Sequence, residues 1–126
     1  MSPQKKPPLS EVLLELKKDY LQFFPQKLAR LEELTEKQDW ENLETEYHKL
    51  KGSGETYGFP EISIVCEVLE FLAPRKNSAA PNTTKQVTFA QAIELLKRMH
   101  ETYLQKKSFS LERDVFASHL LALKPK

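Results

Sequence analysis

The stretch HKLKGSGETYG, residues 48–58, organises the interpretation of this chain. It contains all three glycines of the 126 residues and one of the three histidines. At about 100° per residue, six positions between residues 40 and 58 fall on one side of a helix, and five of them carry large apolar or aromatic side chains. These positions are Trp40, Leu43, Tyr47, Leu50, Gly54 and Tyr57. That side is predicted to face a core, which leaves His48 pointing outward.

Two residues are predicted to border His48 on the outward face. Residues three and four apart on a helix are neighbours, so Lys51 and Gly52 both lie beside the imidazole. Glycine inside a helix costs about 0.5–1 kcal/mol relative to alanine, and no core packing requires a small residue on a solvent face. We therefore interpret Gly52 as kept small so that something can approach His48. Gly54 faces the core, where it lets a neighbouring helix come near.

The first part of the chain is predicted to be a tail followed by a long helical run. Residues 1–8 hold three prolines and two lysines, and we expect a disordered tail. From there to about residue 37 the pattern is helical, with a kink or break expected at Pro25. One apolar face of its first half is formed by Leu9, Leu13, Leu16, Tyr20 and Phe23.

Capping residues predict where the two middle helices begin and end. Asp39 is a good N-cap for the His48 helix. Gly58 followed by Pro60 predicts the end of that helix and the start of the next, which continues to about residue 73. Residues 74–86 are rich in proline, asparagine and threonine and are predicted to form a long surface loop.

The last part of the chain is predicted to hold one long helix and one short one. The long helix covers about residues 87–107, and His100 shares its apolar face, so a packed, hydrogen-bonded histidine is expected there. Ser110 is predicted to cap a short final helix. Its leucines and phenylalanine are too apolar for a free tail, so residues 108–126 are expected to fold back on the bundle or to meet a partner.

Composition limits the function classes. A net charge of +1 gives no general drive toward nucleic acid or membrane, and no apolar run reaches the ~20 residues of a membrane-spanning helix. The single cysteine, Cys66, excludes an intrachain disulfide and fits a reducing compartment. We expect a cytoplasmic protein in which Cys66 is inert packing.

The stretch around His48 resembles the signature of histidine-containing phosphotransfer (HPt) domains, H-x-L-K-G-S with a glycine ten residues after the histidine. The likeness covers most of residues 9–107. Its matching residues are His48, Leu50, Lys51, Gly52, Ser53 and Gly58, with Tyr20-Leu21, Pro25, Leu28, Leu31, Asp39 and Leu43 upstream, and Cys66, Leu69 and Glu70 downstream. Tyr47 and Glu55 depart from the family pattern beside the site, which concerns the choice of partner.

The resemblance implies an all-α fold, an antiparallel four-helix bundle over residues 9–107. The residues themselves predict that the N-terminal helix is kinked or broken at Pro25 and that an extra short C-terminal helix lies within 108–126, which the resemblance does not cover. It implies that His48 accepts a phosphoryl group from the aspartate of one receiver domain and passes it to another. Lys51 would stabilise the phosphoryl charge. The residues expected to bind the partner are Thr45, Lys49, Gly52 and Glu55.

Further expectations follow from the resemblance. The chain would be a phosphocarrier in a two-component phosphorelay, without a cofactor or a bound metal and without ATP-dependent kinase activity. Its partners would be receiver domains of response regulators or hybrid histidine kinases, and we expect a monomer.

Two other functions are compatible with a helical bundle. One is a module that docks receivers without transferring phosphate, although pure docking needs neither His48 nor Lys51. The other is a bundle that holds metal or haem. The histidines and Cys66 do not show ligand spacing for that function.

Overall fold

A computed structural model describes residues 8–75 and 82–124, with the side chains of 82–84 excepted. These ranges contain five helices and no strand, so the predicted all-α fold is confirmed. The helices are α1 (Leu9–Glu36), α2 (Trp40–Thr56), α3 (Pro60–Leu72), α4 (Asn82–Leu104) and α5 (Val115–Leu121). The predicted disordered tail lies outside the described residues except for Pro8, which precedes α1.

The first four helices pack as a ring in which each contacts its neighbours in sequence and α4 returns to α1. Contacts between α1 and α4 give their relative direction. The carbonyl of Leu21 lies against His100, whereas Gln38 at the other end of α1 bonds Gln86. The two helices are therefore antiparallel, as expected for a four-helix bundle.

The core is formed by one face of each helix in the ring. Its largest fully buried side chains are Phe24, Leu31, Leu34, Leu43, Tyr47, Ile62, Leu69, Phe89, Leu95, Leu96 and Met99. The stripe predicted on α2 faces this core: Leu43, Tyr47, Leu50 and Gly54 are buried, while Trp40 and Tyr57 pack against the core from its edge.

Helix α1 continues through Pro25, so of the predicted kink or break, the break does not occur. Proline has no amide hydrogen, and Pro25 therefore leaves the carbonyl of Leu21, four residues earlier, without its helical donor. His100 of α4 supplies one, with its Nε2 2.7 Å from the Leu21 oxygen. The imidazole also stacks on Phe24, with 5.4 Å between ring centroids. A side chain from a neighbouring helix thus replaces the bond that the proline removes.

The first half of α1 does not bury the face that its pattern predicted. Tyr20 is buried, but Leu9, Leu13, Leu16 and Phe23 are exposed. For Leu9, Leu13 and Leu16 the cause is helix length, because Lys17 already lies against the turn between α2 and α3 and these residues continue α1 beyond that turn. Phe23 lies after Lys17, so its exposure does not have this cause.

Helix α4 begins at Asn82, five residues before the predicted start, so the predicted loop was too long. Lys85, placed in that loop by the sequence, lies on the first turns of α4. Its ammonium donates to the carbonyls of Ala73 and Arg75 at the end of α3 and lies 4.4 Å from the centre of the Trp40 ring. These contacts lower the water exposure of the ammonium, and this desolvation lowers the pKa of Lys85.

The C-terminal segment folds back on the bundle. Helix α5 packs against α3 and α4, and Ala117 and Leu120 are buried. The predicted cap was wrong: Ser110 accepts from Arg113 in the preceding turn, whereas Asp114 caps α5 by accepting from the Ala117 amide at 2.9 Å. Sequence favoured the serine because both residue types are good caps and the helix start was placed too early.

We expect His100→Phe to lower the free energy of unfolding by about 1–3 kcal/mol, because it keeps the ring but leaves the Leu21 carbonyl without a donor. In a Pro25→Ala background the backbone amide returns, so the same substitution should cost less than half as much. Urea unfolding of the four proteins measures this coupling. An equal cost in both backgrounds would show that His100 does not substitute for the helical bond.

Candidate functional site

The ends of α2 are where the sequence placed them. The carboxylate of Asp39 accepts from the backbone amide of Asn42 at 3.2 Å and caps the first turn. Gly58 has φ of 85°, the left-handed conformation that follows a helix end and that glycine adopts without strain. These two ends fix which residues of α2 face the core and which face solvent.

His48 lies on the solvent face of α2, with 70% of its side chain exposed. Its Nδ1 is 2.7 Å from Oε1 of Glu70 on α3. An ionised carboxylate can only accept a hydrogen bond, so Nδ1 carries the proton and donates it. In the neutral ring the lone pair is then on Nε2, which makes Nε2 the nucleophilic nitrogen.

Lys51 lies one turn after His48 and faces the same glutamate. Its Nζ is 3.8 Å from Oε2 of Glu70 and 4.0 Å from Oε1 of Glu67. Both distances exceed the 2.7–2.9 Å of a strong charge-assisted hydrogen bond. The ammonium therefore keeps donors that an incoming anion can use, while Glu70 holds it near the imidazole.

The four positions expected to bind a partner do not contact His48 through a hydrogen bond or an ion pair, unlike Glu70. Gly52, Glu55, Lys49 and Thr45 are all exposed. Lys49 pairs with a glutamate one turn earlier at 3.7 Å, and the Thr45 hydroxyl donates to a carbonyl of its own helix at 3.3 Å. In the described part of the chain, none of them forms a hydrogen bond or ion pair with His48.

The two helical glycines of this segment have different surroundings. A Cβ added at Gly52 would meet no atom within 4 Å. One added at Gly54 would lie 3.0 Å from the backbone nitrogen of Ser63 and 3.2 Å from the carbonyl oxygen of Phe59. Gly54 is therefore required where α3 approaches α2, whereas nothing in the domain itself requires Gly52.

Tyr47 does not border the site, contrary to expectation. Its side chain is fully buried against Phe89, and burial raises the pKa of its phenol well above the usual range. The hydroxyl has no hydrogen-bond partner among the described residues. Cys66 is also fully buried, and burial raises the pKa of its thiol, as expected for inert packing.

Sequence reasoning missed the contact between Glu70 and His48. It took Glu70 as one of the residues that match the HPt pattern. The available signal was that Glu67 and Glu70 lie one turn apart on the same side of α3, a helix that is otherwise mostly apolar. Which neighbour they meet depends on the packing of α3 against α2.

The described residues contain neither a metal-binding cluster nor a membrane-spanning helix. Within residues 8–75 and 82–124 there is no group of three or more His, Cys, Asp or Glu side chains that could hold a metal ion. None of the helices described for this chain is both long and apolar enough to cross a membrane.

A family model described as the Hpt domain matches residues 15–106. The chain belongs to the Hpt domain family. This match covers α2, α3, α4 and most of α1, and it ends before α5. Hpt domains serve in histidine phosphotransfer within phosphorelays and interact with receiver domains. Comparison of the chain with curated proteins and with solved structures gave no significant match.

We expect Gly52→Ala to raise the free energy of unfolding by about 0.5–1 kcal/mol through helix propensity alone, because the new methyl group meets nothing. Gly52→Leu should also be tolerated. Gly54→Ala is the matched control and should destabilise the domain, since backbone atoms of the α2–α3 turn and of α3 occupy the space. Urea unfolding of the three variants tests this, and a loss of stability at position 52 would contradict it.

Proposed function

We propose that this Hpt domain is a phosphotransfer intermediate of a two-component phosphorelay and that His48 is its phosphoacceptor. The observation that supports this most is the bond between His48 Nδ1 and Glu70 at 2.7 Å on an imidazole that is 70% exposed. Because Nδ1 donates its proton to Glu70, the lone pair of the neutral ring lies on Nε2. An exposed nucleophile can be reached by a phosphoryl group that is attached to another folded protein domain.

The proposed reaction is an in-line transfer. Nε2 of His48 attacks the phosphorus of an aspartyl phosphate on a receiver domain, a P–N bond forms, and the P–O bond to the aspartate breaks. The aspartate leaves as a carboxylate. The Nδ1 proton stays between the ring and Glu70, whose negative charge stabilises the positive phosphoimidazole. Transfer to a second receiver is the reverse sequence on a different aspartate.

Lys51 is proposed to stabilise charge on the phosphoryl oxygens. It is one helical turn from His48, and its ammonium is held only loosely by Glu67 and Glu70. A phosphoryl group on Nε2 brings oxygens that compete with these two carboxylates. Donors aimed at charge that develops during transfer are the main contribution a protein makes to this chemistry.

The partner is proposed to be a receiver domain of a response regulator or hybrid histidine kinase, meeting the exposed face that includes Thr45, Lys49, Gly52 and Glu55. Gly52 would admit the receiver close to the imidazole. We further propose that residues 9–107 form the phosphotransfer domain and that 108–126 are an extension, since the family match ends at residue 106. A cytoplasmic location accords with this role.

The first experiment is incubation of the chain with a phosphorylated receiver, followed by acid and alkali treatment. We expect label on one histidine, lost in acid and kept in alkali, and absent from His48→Gln. His119→Gln is the control, because His119 is an exposed histidine on α5. Acid-stable label, or label that survives His48→Gln, would contradict the assignment. Binding without any label would instead favour the docking module.

A second prediction concerns Glu70. Glu70→Ala removes the acceptor for Nδ1, so both ring tautomers should be populated and transfer should slow by about tenfold or more. Glu70→Gln keeps an oxygen that can accept and should lose less. Ring ¹⁵N chemical shifts report the tautomer, and rapid-quench kinetics report the rate.

The control for this prediction is Glu67→Ala, which also removes a carboxylate near Lys51 but does not touch His48. It should leave the ring ¹⁵N shifts unchanged. If Glu67→Ala and Glu70→Ala slow transfer equally, the effect belongs to the charge around Lys51 and not to the orientation of the imidazole.

A further inference from the structure

A groove lies between α1, the turn that joins α2 to α3, and the end of α4. Its volume is about 800 Å³, which falls within the roughly 300–1,000 Å³ of small-molecule pockets in proteins. Leu21, Phe59 and Leu104 give it an apolar floor, and Tyr103 lies beside them. Because three elements of the fold enclose the groove, an apolar molecule of modest size would be covered on more than one side.

Cationic side chains surround this floor. Four lysines line the groove: Lys17, Lys18, Lys106 and Lys107. Among the described residues, only Lys18 of these four has an ion-pair partner, Glu15 at 3.6 Å. Glu61 is the acid among the described lining residues, and it already accepts from the hydroxyl of Tyr103 at 3.1 Å. The net charge of the whole chain is only +1, so the excess of cations is local to this groove.

Helix α1 presents apolar and cationic side chains to the groove together. At about 100° per residue, Leu14 and Leu21 lie within about 20° of each other around the helix. Counted from Leu14, Lys17 lies about 60° to one side and Lys18 about 40° to the other. The ammonium of Lys17 is 5.6 Å from the centre of the Phe59 ring. The methylene groups of such a lysine cover apolar surface while its charge stays at the rim.

Lys106 holds a backbone conformation that favours glycine. Its φ is 60°, in the left-handed region, and its amide and that of Lys107 form the Schellman motif that ends α4. Gly58 and Gln38 take the same place after α2 and α1, with φ of 85° and 55°. Glycine adopts this conformation without strain, and the side chain of Gln38 bonds Gln86 at 3.2 Å. Among the described residues, the side chain of Lys106 has no hydrogen-bond or ion-pair partner, so its ammonium is free for a ligand.

The rest of the chain does not supply a carboxylate side chain for these lysines. The segments outside the described residues are 1–7, 76–81 and 125–126, and they contain lysines but no aspartate or glutamate. Their charge has the same sign as that of the groove. The groove therefore calls for an anion from outside this chain.

We propose that the groove binds a small anionic amphiphile, a molecule with an apolar body and a carboxylate, sulfonate or phosphate head. Its body would cover Leu21, Phe59 and Leu104, and its head would meet the ammonium groups of Lys17 and Lys106. A charge-assisted contact to lysine gives the head group its specificity, and the apolar floor supplies the remaining affinity. This proposal does not rest on phosphoryl transfer at His48.

Titration of the full chain with decanoate, below the concentration at which decanoate forms micelles, tests the proposal. We expect saturable binding with a dissociation constant below about 1 mM. In ¹⁵N-resolved NMR spectra the amide shifts of Leu21, Phe59 and Leu104 should move. Decanol and decyltrimethylammonium carry the same chain with a neutral and a cationic head, and both should bind about tenfold more weakly or less. Absence of saturable decanoate binding, or equally tight binding of decanol, would overturn the proposal.

Lys106→Gly separates binding from stability. It removes the ammonium and relieves the left-handed backbone, so it should weaken decanoate binding by about threefold or more while it raises the urea midpoint of unfolding. Gln38→Gly is the matched control, because it relieves the same conformation at the end of α1 and should leave decanoate binding unchanged. Lys17→Gln keeps most of the side chain without the charge and should weaken the binding of decanoate but not of decanol. If both lysine variants bind decanoate as the wild type does, the proposal is wrong.

Vesicles of phosphatidylglycerol distinguish a free ligand from a membrane surface. Binding of decanoate without binding to vesicles would support a site for a free amphiphile. Binding of both, with both weakened by Lys106→Gly, would support the same site with lipid as a second source of the anion. Binding to vesicles without binding of monomeric decanoate would overturn the proposal in favour of a peripheral membrane contact.

Discussion

Helices α2 and α3 approach so closely at Gly54 that a methyl group there would lie 3.0 Å from the backbone nitrogen of Ser63. Because the two helices run antiparallel from this contact, they stay close along their length, and Glu70 of α3 reaches His48 with 2.7 Å between Oε1 and Nδ1. A side chain at Gly54 would push α3 outward, and a hydrogen bond weakens steeply over a shift of about 1 Å. The orientation of the imidazole therefore depends on the absence of a side chain at Gly54, about 120° around the same helix.

One carboxylate serves two groups at the site. Glu70 makes a short bond to the imidazole and a loose contact of 3.8 Å to Lys51. The difference suits the proposed phosphotransfer, in which the nucleophile keeps one orientation while the cation moves. In that proposal, phosphorylation of His48 would add negative charge next to an ammonium that is not tightly bound. Lys51 would then turn toward the phosphoryl group without disturbing the bond between His48 and Glu70.

Patterns within one helix were predictable, and contacts between helices were not. Asp39 and Gly58 bound α2 as expected, because capping acts over three or four residues. The bond from Glu70 to His48 joins residues 22 apart, and the bond from His100 to the carbonyl freed by Pro25 joins segments 79 apart. The local rule for proline identified Pro25 correctly but allowed a break that does not occur, because it takes no account of a hydrogen-bond donor on another helix. The exposed first turns of α1 were missed for a related reason: periodicity describes a face but not whether a neighbour reaches it.

The burial of Cys66 has a practical consequence for work on this chain. Its thiol has no exposed surface, and burial raises its pKa, so little reactive thiolate is present at neutral pH. It is also the only cysteine. A single cysteine introduced on the surface can therefore carry a maleimide dye or spin label while the native residue stays in place. Distances and encounter rates can be followed in a chain whose interior has not been altered.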